Sequence, residues 1–179
     1  MTVFGGINFM DFREKENYRV FKEEIFASIE PLTPYIDELP FVLIHTGVKR
    51  VSGTILRPIR QRWLEGDKLV IDGYKRIADL ARRSKRAIIE KDWETLAELM
   101  NENHEIQKAL GASGEHNDRL IEIAMRNGAL AAKLSGAGGG GTIIVLSKSP
   151  GKIIDACKKA GASHILYPKP SPGLTLAIR

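Results

Sequence analysis

Lys133-Leu134-Ser135-Gly136-Ala137-Gly138-Gly139-Gly140-Gly141-Thr142, running on into Ile143-Ile144-Val145-Leu146, puts five glycines in six positions between two apolar segments. Such a run is costly, because glycine loses the most backbone freedom on folding and offers neighbours no side chain to pack. A chain that keeps it needs main-chain N–H groups able to approach something closely, and phosphate is the usual partner. Gly136, Gly138 and Gly141 formally fit G-x-G-x-x-G, but that fingerprint requires a strand before the glycines and a helix after them. Here Thr142 to Leu146 reads as a strand, and about twenty residues on stands Gly161-Ala162-Ser163 instead of an acidic residue. A Walker loop is excluded as well, since Thr142 follows Gly141 where a lysine would be required. Strand, glycine-rich turn, strand remains. The pattern alone leaves open whether the turn holds a ligand or merely closes a hairpin.

Around this unit the chain alternates between strand and helix signals. Thr2 to Phe12 is apolar and aromatic with a Gly5-Gly6 pair, Asn17 to Ile25 resembles a strand of poor alternation, and Pro31, Pro34 and Pro40 mark a loop. Phe41 to Thr46 reads as a buried strand, and from Ile55 the chain turns helical. From Lys68 to Glu90 the residues Val70, Tyr74, Ile77, Ala81, Ser84 and Ile88 form one stripe at helical spacing, in spite of Gly73. Asp92 caps a second helix, with Trp93, Leu96, Leu99, Met100, Ile106 and Leu110 inward and Gly111 as its stop. Asn117 to Asn127 is a third, with Leu120, Ile121, Ala124 and Met125 inward. Ser149 caps a helix through Ala160 with Pro150 in its first turn, and His164 to Tyr167 and Leu174 to Ile178 read as closing strands. No βα unit repeats. The expected fold class is therefore α+β, an antiparallel sheet with helices packed on one face, of ferredoxin-like type.

Composition narrows the function. Hydrophobic residues make up 43% of the 179-residue chain and charged ones 27%, the balance of an ordinary globular protein. No apolar run reaches the length of a membrane span, and no signal segment opens the chain, so no membrane partner and a cytoplasmic setting are expected. Cys157, the single cysteine, reads as a small core residue. The net charge of +5 favours anions. Arg57, Arg60, Arg62, Arg82, Arg83 and Arg86 lack the interleaved aromatics of a nucleic-acid module, so no nucleic acid is expected. His45, His104, His116 and His164 stand at no metal-ligand spacing, so no metal site is expected, and His104 reads as a surface residue. No nucleophile elbow or triad is visible, and no catalytic residue is assigned. Phosphoryl transfer, which depends on positioning and charge stabilisation, is the chemistry a nest of N–H groups over Gly136–Gly141 suits best.

The run Lys133 to Gly141, with its lead-in Asn127-Gly128-Ala129-Leu130-Ala131-Ala132, resembles the third signature motif of the GHMP kinases. Phe4-Gly5-Gly6-Ile7-Asn8-Phe9 resembles a segment of the heptose-phosphate branch, the nearest by these motifs, and Leu43 to Arg50 resembles one shared by the heptose and mevalonate branches. Met100-Asn101-Glu102-Asn103-His104 through Ser113 looks more like mevalonate kinase. The resemblance implies the C-terminal domain of such a kinase over 41–179, with 1–40 as strands and loop from the domain junction. It implies that Ser135, Gly136, Ala137, Gly138, Gly139, Gly140 and Gly141 lie near the phosphates, and Gly5, Gly6, Thr46, Gly47 and Arg50 on the substrate side. ATP and Mg2+ are then expected only in a complete kinase. The family's Gly-Leu-Gly-Ser-Ser loop has no counterpart here, where no Ser-Ser dipeptide occurs, and its catalytic aspartate would fall just before Thr2. The implied function is thus the C-terminal part of an ATP-dependent sugar kinase, inactive without an N-terminal ATP-binding half. That half, or a second copy meeting the N-terminal strand, is the implied partner. The alternatives are a non-catalytic module for a small phosphorylated ligand, and a mevalonate-kinase-type substrate.

Overall fold

Alternation in Thr142–Leu146 sets up the sheet at the centre of the protein. Ile143 and Val145 point to one face and Ile144 and Leu146 to the other, as the period of two requires. This strand, β5, pairs antiparallel with β4 (Ala131–Ser135) on one side and with β3 (Phe41–His45) on the other. The three-residue strand β6 (His164–Leu166) closes the far edge, giving the order β4-β5-β3-β6. The computed structural model describes residues 4–12, 27–36, 38–49 and 51–174, and falls into two units, Met1–Leu39 with Lys169–Arg179, and Pro40–Pro168.

In the larger unit five helices accompany the sheet: α1 (Ser52–Leu64), α2 (Lys68–Ile89), α3 (Trp93–Ala109), α4 (Glu115–Arg126) and α5 (Gly151–Lys159). Val42, Ile44, Ala132, Ile143 and Val145 meet Leu120, Ile121 and Ala124 of α4 and Ile153, Ile154 and Cys157 of α5. Burial without a charged partner pushes the Cys157 thiol up to about 11, as suits a packing residue. The α+β class and the antiparallel sheet are as expected, with α4 and α5 on one face. The opposite face carries a second layer at one end, where Phe41, Ala131, Ile144 and Leu146 meet Ala87 of α2 and Leu96, Ala97 and Met100 of α3.

The local readings hold with informative shifts. Asp92 caps α3 by accepting from the Thr95 N–H at 3.0 Å, and Asp67 caps α2 by accepting from the Leu69 N–H at 2.9 Å. The expected α2 stripe holds at Val70, Ile77, Ser84 and Ile88 and shifts by one residue elsewhere. Val70, Leu80 and Ala87 are buried, whereas Tyr74 and Ala81 are exposed. Gly73 lies on the inward side, where a Cβ would meet Ile106 of α3 and Leu110 just after it at 3.3 Å, so its cost in the helix is tied to close packing. Met125, expected inward, exposes 38% of its surface, and Asn117 takes the buried place one turn before Leu120 and Ile121. The last long helix begins at Gly151 with Pro150 at its cap and no side-chain capping bond, so Ser149 is not the cap.

The smaller unit pairs β1 (Asn8–Asp11) with β2 (Ser28–Pro31) antiparallel. β2 occupies part of what reads as loop in the sequence, because a four-residue strand ending in proline carries almost no pattern. Among its described residues Leu32 and Ile36 are the buried apolar ones, flanking a short 3-10 turn at Thr33–Tyr35. The expected strand at Asn17–Ile25, and Thr175–Ile178 of the last one, lie outside the described residues.

Candidate functional site

The β4–β5 turn is a folded-down loop. Its glycines at 136, 138, 139, 140 and 141 all have positive φ, between 69° and 127°, which explains why side-chain-bearing residues are shut out of these positions. Three segments brace it. From the α3–α4 connection, the carbonyl oxygens of Ala112 and Ser113 accept from the Gly139 N–H at 3.0 and 3.1 Å. From α1, Ile55 lies 2.6 Å from where a Gly139 Cβ would stand, and from the end of β3, Val48 lies 3.2 Å from the corresponding point on Gly140. Gly138, Gly140 and Gly141 are buried, while Gly136 is exposed and Ala137 partly so. The loop therefore presents a lip at Gly136–Ala137 and is clamped behind it.

The segment after β3 completes the arrangement. Thr46 donates its N–H to the Gly141 carbonyl oxygen at 2.7 Å, next to the His45–Thr142 pair that ends the β3–β5 ladder. The Thr46 hydroxyl accepts from the Val48 N–H at 3.2 Å, and His45 Nδ1 accepts from the Gly47 N–H at 3.0 Å. Accepting from that amide places a lone pair on Nδ1, so the His45 ring proton sits on Nε2 while this turn is formed. Ser163 Oγ, 3.0 Å from the same nitrogen, ties in the start of β6. Thr46 and Gly47 are thus brought against the glycine loop as one structural piece. Gly5 and Gly6 belong to the smaller unit, where Gly6 donates to the Ser171 carbonyl oxygen at 2.7 Å. Arg50 lies outside the described residues.

Beneath the α3–α4 connection sits a polar layer that sequence reading missed. Ser113 Oγ donates to Asp118 Oδ1, and the same carboxylate lies 3.5 Å from His104 Nε2. His104, expected at the surface, is 4% exposed, because α4 folds over the face of α3 that carries it. Burial holds its pKa below the ordinary histidine value, against the opposing pull of Asp118. Asn117 is fully buried, and neither of its side-chain amide atoms finds a partner. Glu102, by contrast, lies at the surface and accepts from Arg76 Nε at 2.5 Å. On β4, Lys133 is half-buried between the sheet and helices α2 and α3, and desolvation pushes its ammonium down to about 8. The one signal for it was its place in the pleat, on the same face as Ala131 and Ser135.

Of the α1 arginines, Arg62 is engaged in the fold, donating to Asp67 at 2.7 Å and to the Leu110 carbonyl oxygen at 3.2 Å. Arg57 and Arg60 border an apolar groove with Leu56, Trp63 and Tyr74. Among the described residues no group of three or more His, Cys, Asp or Glu is placed to hold a metal ion, and no helix is long and apolar enough to cross a membrane.

An antiparallel α+β domain whose glycine loop is pinned at one end of the sheet, against the turn after a neighbouring strand, defines the class. Residues 84–164 match the family model described as GHMP kinases C terminal, and the chain carries a C-terminal domain of that family. Glucuronokinase 1 of Arabidopsis thaliana is 32% identical over 166 residues, covering 89% of this chain and 44% of the plant protein. Mevalonate kinase of Pyrococcus abyssi is 33% identical over 151 residues, covering 80% of this chain and 44% of the archaeal one. Among solved structures, L. major mevalonate kinase in complex with R-mevalonate superposes with a TM-score of 0.71 at 21% identity, over 80% of this chain and 45% of that one. The chain thus spans under half the length of these relatives. Mevalonate kinase was among the branches the motifs suggested; glucuronokinase was not.

Proposed function

We propose that this chain forms the C-terminal part of an ATP-dependent phosphotransferase acting on a hydroxyl of a small sugar, sugar phosphate or acid. In that reaction the acceptor oxygen attacks the γ-phosphorus of Mg·ATP, the bond to the β–γ bridging oxygen breaks, and ADP leaves while the hydroxyl proton passes to a base. The role assigned to this chain is positioning and charge stabilisation. The N–H groups at the exposed lip, Gly136 and Ala137, face the phosphates, and the Thr46–Gly47 turn lies on the acceptor side. Gly139, whose N–H is already engaged by Ala112 and Ser113, holds the loop in place.

The observation that carries this reading is the clamped glycine loop joined directly to the Thr46 turn, within a domain of the GHMP kinase family. We place the base and most ATP contacts outside these 179 residues, in an N-terminal kinase half with which this chain works; the match covers 44% of each of these relatives. Phe4 and Phe12, each with more than half its surface exposed, give such a partner, or a second copy, an apolar contact. The setting proposed is cytoplasmic.

The test is ATP turnover with heptose phosphates, glucuronate and mevalonate as acceptors, by the chain alone and co-expressed with the N-terminal half of a GHMP kinase. Turnover in the mixture and none with the chain alone is the expected result. Turnover by the chain alone would overturn the dependence. Absence of turnover in both, with a sugar phosphate still bound in calorimetry, would favour a non-catalytic binding module.

A further inference from the structure

On the sheet face opposite α4 and α5, a cavity of about 370 Å³ lies between the sheet and the helices α2 and α3. Its walls are mostly apolar, including Phe41, Leu80, Leu99, Met100 and Ile144. Volumes of a few hundred cubic ångströms with few polar groups are those of small-molecule sites. The polar groups here converge. Lys133 and Ser135 stand two residues apart on β4, so both point into this face, and Ser84 and Asn103 come from the two helices.

Among the described residues, Lys133 is the only ionisable one lining the cavity. Its Nζ donates to the Leu134 carbonyl oxygen at 2.9 Å, and among the described residues no carboxylate pairs with it. A lysine has three donors, so two remain for a ligand. Enclosing a cation without a counter-ion is unfavourable. The side-chain oxygen of Asn103, also in the wall, is buried with no hydrogen-bond partner. An unpaired cation, a hydroxyl and an unpaired acceptor around an apolar cavity describe a ligand by complement: an anionic head, a donor group beside it, and an apolar body.

We propose that this cavity binds a small amphipathic anion, its carboxylate or phosphate on Lys133 and Ser135 and its apolar body between α2 and α3. The ligand's head would lie where β4 runs out into the glycine loop, since Ser135 precedes Gly136. This inference does not rest on phosphoryl transfer being the chain's chemistry, because binding is read without ATP.

The experiment is displacement of 8-anilinonaphthalene-1-sulfonate from the folded chain at pH 7, with native circular dichroism as the control for each protein. Octanoate and octyl phosphate, which separate the two head groups, should displace the dye at least tenfold more tightly than 1-octanol. Lys133→Met should bring the anions down to the level of the alcohol, and Leu80→Trp, which fills the cavity, should weaken all three. Equal displacement by octanol and octanoate in the native protein, or an unchanged preference in Lys133→Met, would overturn the proposal. Should Lys133→Met not fold, the 13Cε signal of Lys133 in the native chain decides: octanoate should raise its titration midpoint by at least one pH unit. An unmoved midpoint at saturating octanoate would equally overturn it.

Discussion

Replacing Gly138 by alanine should lower the unfolding free energy by on the order of 4 kcal/mol; among the described residues it is the glycine where an added Cβ would come closest to another atom. Gly138 has a φ of 85°, a left-handed value that costs an L-residue about 1–2 kcal/mol. Space adds more. A Cβ built there coincides with the Ala112 carbonyl oxygen, a main-chain atom that cannot swing aside. To admit the methyl, the α3–α4 connection must move off the loop and give up the bonds by which Ala112 and Ser113 hold the Gly139 N–H. Each is worth about 1 kcal/mol, with a further penalty for leaving the amide buried and unpaired. Gly66 supplies the control: its φ is 81° and a Cβ there meets nothing within 4 Å, so Gly66→Ala should show the backbone cost alone, about 1 kcal/mol. Urea unfolding of the two variants separates the contributions. Equal destabilisation would mean that the loop is not clamped by the α3–α4 connection.

Lys133→Met should do the reverse and raise stability at pH 7, by about 2–3 kcal/mol. The Lys133 pKa is pushed down to about 8, against about 10.4 in an unfolded chain. A lowered folded-state value means that the unfolded chain binds more protons between these two pH values, so stability rises as pH climbs from about 8 to about 10.4. Below pH 8 the full burial penalty is present, at about 1.4 kcal/mol per unit, and it is removed with the amine. Loss of the bond to the Leu134 carbonyl oxygen takes back about 1 kcal/mol. The gain over wild type should therefore be largest at neutral pH and shrink as pH rises from about 8 to about 10.4. Unfolding curves at pH 7 and pH 10 check both parts; a variant less stable at pH 7, or a difference independent of pH, would contradict the burial argument. A sequence that retains a destabilising lysine in an apolar cavity is giving up stability for something other than the fold, which links this prediction to the amphipathic-anion site.

The parts of this fold legible in the sequence are those with a local cause. Thr142–Leu146 declares itself by its run of β-branched and apolar residues, Asp92 by capping chemistry, and the glycine run by its improbability. Two members of the expected α2 stripe, Tyr74 and Ala81, face solvent, because the inward positions beside them include Gly73, which carries little apolar signal, while Tyr74 carries a strong one. His104 became legible only with the fold. Its burial depends on α4 crossing over it, and its partner Asp118 lies on the far side of the Ala112–Gly114 connection. Lys133 was hidden for a related reason. Its charge argues for solvent, and only the layer of α2 and α3 on that face of the sheet turns it inward. What the motif resemblance supplied, the family, needed neither of these long-range facts.

The central claim is that the lip of the clamped loop presents its main-chain N–H groups to phosphate oxygens. Backbone amide resonances of the 15N-labelled chain, followed while magnesium pyrophosphate is added, test it most directly. The Gly136 and Ala137 signals should move saturably while those of Gly66 and Gly128 stay fixed. Saturable shifts confined to other surfaces, with the loop signals unmoved at millimolar pyrophosphate, would contradict it.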